Sequence, residues 1–181
     1  MSEKILAAIA GLLATLIVGL FFFWEPELPE RPLPPSILPS AGDFTLQSAT
    51  GPVSLKDYRG KLVLIYFGYT YCPDICPTSL AITAEALNRL TPEEQSKVVS
   101  IFISLDPERD TPARLKEYVE FFHPGMIGVT GTPETLAEVA FRYSVFYARQ
   151  KNEKAPEAYA IDHSADTYII GAAANKVTIS E

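Results

Sequence analysis

The chain carries 22 acidic and 15 basic side chains over 181 residues, a net charge of −7 at pH 7. Nucleic-acid phosphates demand a basic face, so that class of partner is excluded. The length suffices for one domain with extensions, and 48 % of the residues are hydrophobic, many of them near the N-terminus.

Residues 5–24 contain no charge and end in Phe21-Phe22-Phe23-Trp24. Twenty helical residues reach roughly 30 Å, the thickness of a bilayer's hydrocarbon core, and aromatic side chains suit its interface. A cleaved signal peptide has a shorter apolar stretch and a small-x-small site after it. The run here leads instead into Glu25-Pro26, which predicts an uncleaved transmembrane anchor over 5–24 with a cytoplasmic N-terminus at 1–4. Lys4 precedes the span, while Glu25, Glu27, Glu30 and Arg31 follow it. Positive charge stays inside, so the rest of the chain is expected on the outer side of the inner (cytoplasmic) membrane. That side is the periplasm or, in a mitochondrion, the intermembrane space, and the bacterial one is oxidising enough for thiols to pair.

Between Glu25 and Ser40 lie Pro26, Pro29, Pro32, Pro34, Pro35 and Pro39. Such spacing predicts a stiff, extended linker over 25–41, with a domain over 42–181 beyond it. Short alternating strands are expected near 44–46 and 53–55. Gly60-Lys61 turns into the apolar run 62–67, whose unbroken hydrophobicity fits a buried central strand. A helix over about 77–90 follows, then a second buried strand at 98–105. Thr111-Pro112 and Thr132-Pro133 each read as an N-cap with proline in the first turn, starting helices that run to about 122 and 143. A strand at 126–129 separates them, and strands near 145–147, 167–170 and 176–179 complete the order. Strands alternating with helices and closed by a hairpin imply a thioredoxin-like three-layer α/β/α domain with a mixed central sheet.

Cys72 and Cys76 are the two cysteines of the chain. They follow the first buried strand in Tyr66-Phe67-Gly68-Tyr69-Thr70-Tyr71-Cys72-Pro73-Asp74-Ile75-Cys76-Pro77. Ligand sites in open α/β sheets lie beyond the carboxyl ends of the strands, which is where this segment sits. A helix N-terminus favours thiolate over thiol, so depressed thiol pKa values are expected. Three uses remain open: a structural disulfide, a redox pair, and a soft-metal site. The three-residue spacing departs from the two-residue spacing usual in thioredoxin-type enzymes. Two thiolates select copper(I) or zinc, but are too few for structural zinc. Of the two histidines, His123 reads as the end of a helix before Pro124-Gly125. His163 reads as a loop residue at the mouth of the strand 167–170, close to the thiol segment in a thioredoxin-like sheet.

The thiol segment, Phe67 to Pro77, resembles the signature of the Sco/SenC copper chaperones. Ser104-Leu105-Asp106-Pro107-Glu108-Arg109-Asp110-Thr111-Pro112, Val129-Thr130-Gly131-Thr132-Pro133 and Asp162-His163-Ser164 resemble three further blocks of that family, in the same order. The resemblance implies one copper per chain, held by Cys72, Cys76 and His163. It implies help in assembling the dinuclear copper centre of cytochrome c oxidase subunit II, by copper delivery, by cysteine reduction with Cys72 and Cys76 as the redox pair, or both. Other copper carriers would then be partners, and the chain a metallochaperone rather than an enzyme. A thiol–disulfide oxidoreductase without obligatory copper is the alternative. Asp106, Arg109 and Asp110 read as a turn and salt-bridge network, Asp74 as an ordinary turn residue. The family has a closing helix beyond the last hairpin. With the sequence running to Glu181 that helix is expected to be absent, and an apolar sheet surface uncovered.

Overall fold

The computed structural model describes residues 42–150, 159–171 and the backbone of 177–180, together with Ile5, 11–13, Thr15 and Gly19 near the N-terminus. The chain divides into two units, Met1–Leu33 and Pro34–Glu181. Among the described residues no helix is long and apolar enough to cross a membrane. The expected span over 5–24 falls largely outside those residues, and the proline-rich linker and residues 172–176 fall outside them entirely.

In the second unit, β1 (Thr45–Ser48) and β2 (Gly51–Ser54) form a small antiparallel hairpin, turned at Gly51 with a φ of +122° that a side chain would strain. A 3-10 turn at Leu55–Tyr58 leads to β3 (Leu62–Gly68), then α1 (Ile75–Asn88) and the four-residue α2 (Pro92–Gln95). β4 (Val98–Ser104), α3 (Pro112–Phe122), β5 (Met126–Val129) and α4 (Pro133–Arg142) follow. The chain continues with β6 (Tyr147–Gln150), β7 (Ala160–His163), β8 (Thr167–Ile170) and β9 (Val177–Ser180).

Five strands form the central sheet in the order β5-β4-β3-β8-β9. β3, β4 and β5 run parallel; β8 is antiparallel to β3 and to β9. The sheet is therefore mixed, as expected. Its middle strands are apolar on both faces because both faces are covered. Ile65, Phe67, Ile101 and Ile103 pack on one side with Leu136, Val139 and Ala140 of α4 and with the β1–β2 hairpin. Tyr66 and Phe102 face the other way, onto Leu80 and Leu87 of α1 and Leu115 and Val119 of α3.

Both threonine caps are present: Thr111 and Thr132 accept from the backbone N–H of Arg114 and Thr135. α2 was missed by the sequence reading, although its capping box, Thr91 with Glu94, is a spacing that sequence displays. α1 begins two residues before the expected Pro77. A larger correction concerns His163. It is not a loop residue: it ends β7, which pairs with β6 as a separate two-stranded ribbon, Tyr147 opposite His163.

Candidate metal centre

β3 and β4 end side by side, Gly68 opposite Ser104, and two loops leave from there. One, residues 69–74, carries Cys72. The other, 105–111, buttresses it: Leu105 N–H donates to the Gly68 carbonyl at 2.8 Å. The Asp110 carboxylate accepts from Thr70 N–H (2.9 Å), Thr70 Oγ1 (2.6 Å) and Ser104 Oγ (2.6 Å). The expected network of Asp106, Arg109 and Asp110 is thus present, with Arg109 Nε donating to Asp106.

Cys76 is the second residue of α1 and fully buried; Cys72 is 9 % exposed. Neither is in a disulfide. The Cys76 N–H donates to Cys72 Sγ at 3.4 Å, the helix N-terminus acting on the first thiol. Gly68 makes room for the second: a Cβ there would stand 2.7 Å from Cys76 Sγ. Burial pushes the Cys76 thiol well above its ordinary pKa. The expected depression is therefore corrected at Cys76, where desolvation outweighs the hydrogen bonds that favour the thiolate.

His163 comes from the β6–β7 ribbon. Its Nδ1 lies 2.8 Å from the Ser164 carbonyl, which only accepts, so Nδ1 carries the proton and Nε2 has a free lone pair. Nε2 faces Cys76 Sγ at 3.2 Å. Two phenol rings hold the imidazole near-perpendicular, Tyr69 at 5.9 Å and Tyr66 at 6.3 Å between centroids. Ser164 is pinned in turn to Phe146, by N–H to carbonyl (2.9 Å) and by its hydroxyl accepting from Phe146 N–H (3.1 Å). The ring's orientation depends on that carbonyl. Asp162 accepts from Gln150.

Cys72 Sγ, Cys76 Sγ and a His163 ring nitrogen lie within 4.8 Å of one another. All three expected residues meet at one point. Two sulfurs and one imidazole nitrogen are a soft set that fits copper. His123 takes no part; its Nδ1 accepts from Gly125 N–H at 3.0 Å, at the end of α3. Asp74 stands before α1 without a side-chain cap.

The sequence matches the model of the SCO1/SenC family over residues 37–181. This chain belongs to the SCO1/SenC family. It is 39 % identical over 168 residues to a SCO2-like protein of Rickettsia conorii, covering 87 % of this chain and 82 % of that one. Bradyrhizobium japonicum ScoI, solved with copper bound, superposes with a TM-score of 0.71 at 39 % identity, over 77 % of this chain and 88 % of its own. Yeast Sco1 with copper bound gives 0.69 at 36 % identity, over 76 % and 77 %. These SCO1/SenC structures fix the fold class as the thioredoxin-like fold of the family.

Sequence reasoning missed the side chains that hold His163 in place. Their signal was present only as a run of aromatic residues, Tyr66, Tyr69 and Tyr71, around the thiols.

Proposed function

We propose that this chain is a copper carrier that helps to build the dinuclear copper centre of cytochrome c oxidase subunit II. Sco family proteins act in copper assembly of that oxidase, and copper-bound relatives share the fold and more than a third of the sequence. The observation that carries the reading is the convergence of two thiols and one imidazole within 4.8 Å at the sheet's carboxyl end. Copper is the cargo. Cys72 and Cys76 hold it through sulfur and His163 through Nε2, and Cys76 gives up its proton on binding. With three protein donors a further position stays open, through which a receiving ligand can take the metal by exchange.

In this reading residues 5–24 anchor the chain in the inner membrane and 25–41 space it from the bilayer. The domain 42–181 faces the periplasm or intermembrane space, where another copper carrier loads it. The test is copper titration of the reduced full-length chain, followed by visible absorption and electron paramagnetic resonance. One copper per chain with a sulfur-to-copper charge-transfer band is expected. An unchanged copper(II) spectrum and affinity in His163→Ala would overturn the three-donor site, as would undiminished binding in Cys72→Ser with Cys76→Ser.

A second reading, thiol–disulfide exchange on the same partner, draws on the Cys76 N–H donated to Cys72 Sγ. Cys72, the more exposed cysteine, attacks the partner's disulfide. Cys76 then resolves the mixed disulfide; the partner gains two electrons and this pair becomes a disulfide. A partner peptide reduced equally well by His163→Ala would support that use of the sulfurs.

A further inference from the structure

We infer that Arg109 is a positioning residue for the copper site, clamping the strand that carries His163 to the loop that carries Cys72. The inference rests on the copper-carrier reading, but its test has a copper-free arm. Cys72 stands on the loop after β3 and Cys76 on α1, inside the main fold. His163 stands on the β6–β7 ribbon, outside the central sheet, and must be brought to them. β7 is preceded by Tyr159, and Arg109 grips that residue in three ways. Its guanidinium carbon lies 3.6 Å from the Tyr159 ring centroid, and its Nη1 donates to the Tyr159 carbonyl at 3.0 Å. Its Nε donates to Asp106, whose other oxygen accepts from the Tyr159 hydroxyl at 2.6 Å.

The same guanidinium reaches the thiol loop. It lies 4.6 Å from the Tyr71 ring, next to Cys72, and 5.7 Å from the Tyr69 ring, which in turn abuts the His163 imidazole. All three distances are within cation–π range. Arg109 is 17 % exposed and Asp106 2 %, so little water competes for these contacts. One planar cation thus touches both halves of the metal site. A lysine keeps the charge but not the flat face or the fork of donors.

Copper(I) is satisfied by two thiolates, whereas copper(II) requires the imidazole as well. Loosening the His163 arm therefore affects the two oxidation states unequally. In the full-length chain, Arg109→Met is expected to hold copper(I) within about threefold of wild type. Its copper(II) affinity falls about tenfold or more, with the charge-transfer band and hyperfine splitting moving towards those of His163→Ala. Arg109→Lys shifts both in the same direction and serves if Arg109→Met does not fold.

The copper-free arm is nuclear magnetic resonance of the His163 ring protons, which the Tyr66 and Tyr69 rings displace by ring currents. Those displacements shrink towards the values of a free histidine in Arg109→Met or Arg109→Lys, while Tyr159→Phe, which keeps the stacked ring, retains most of them. Folded variants at Arg109 with wild-type ring shifts and a wild-type copper(II) spectrum overturn the clamp. Should wild type bind no copper while the ring shifts still answer to Arg109, the copper reading fails and the clamp stands.

Discussion

At the scale of single residues, the candidate ligands were legible and the space around them was not. Residue type alone left several uses of Cys72 and Cys76 open; the sequence blocks in which they and His163 stand, which resemble those of one family, singled out the three together. Gly68 gives no such signal, since a glycine at a strand end has several common explanations. Its role appears only in three dimensions: an added Cβ would lie 2.7 Å from Cys76 Sγ, 3.1 Å from Phe102 and 3.3 Å from Tyr66. All three neighbours are buried, so none yields freely. Gly68→Ala is expected to displace the sulfur and lower copper(I) affinity at least about tenfold, equivalent to ~1.4 kcal/mol. Overpacking should cost about 1–3 kcal/mol of stability as well. Competition with a copper(I) chelator and urea denaturation measure the two effects, and wild-type affinity in the variant would show that the glycine is not the sulfur's cradle.

Among the elements, β3, β4 and the two Thr-Pro helix starts were readable because local pattern decides them: an unbroken apolar run, or a cap with proline after it. The β6–β7 ribbon was not. Ala160-Ile161-Asp162-His163 is too short to show a period, and it becomes a strand by pairing with a segment outside the central sheet. The turn between α4 and β6 is a second case. Val145 N–H donates to the Ala140 carbonyl (2.8 Å) and Ser144 N–H to the Phe141 carbonyl (3.0 Å), the two bonds of a Schellman ending. Ser144 takes a φ of 56° there, a position that glycine occupies without penalty. Ser144→Gly relieves that strain but makes the unfolded chain more flexible. The net expectation is a gain of about 0.5–1 kcal/mol, a rise in melting temperature of about 2 °C for a domain of this size. A scanning calorimetry trace with a lower melting temperature would contradict the assignment. Because Val145 leads directly to Phe146, the partner of Ser164, this turn also sets where the His163 arm begins.

For the molecule as a whole, buried phenols and the buried carboxylates of Asp106 and Asp110 couple the site to the fold. Burial holds Tyr168 at about 12, and burial with the Asp106 contact holds Tyr159 at about 12; burial raises Tyr143 as well. Each phenol is favoured in its neutral form by folding. The stability they lend is complete below the ordinary tyrosine pKa of about 10 and is lost as pH rises through about 12. The urea midpoint should fall across that interval, with tyrosinate absorbance appearing alongside unfolding. Ionisation of all nine tyrosines near pH 10 without loss of midpoint would refute it.

Asp110 carries the second coupling. It is fully buried and accepts three hydrogen bonds that join the β4 end, the β4–α3 loop and the thiol loop, with Arg114 of α3 3.8 Å away. Thr70 relays the contact, accepting from Arg114 Nε at 2.8 Å while donating to Asp110. Asp110→Ala leaves three donors without their acceptor, and hydrogen bonds to a buried charge are individually strong. A loss of about 3 kcal/mol or more is expected, read as a lower urea midpoint. The thiol loop hangs on the same carboxylate, so Cys72 should also react faster with a thiol reagent under conditions where the variant remains folded. Lower stability with unchanged thiol reactivity would mean that Asp110 supports the scaffold alone. A change in both would mean that folding and metal-site geometry are set by the same buried group.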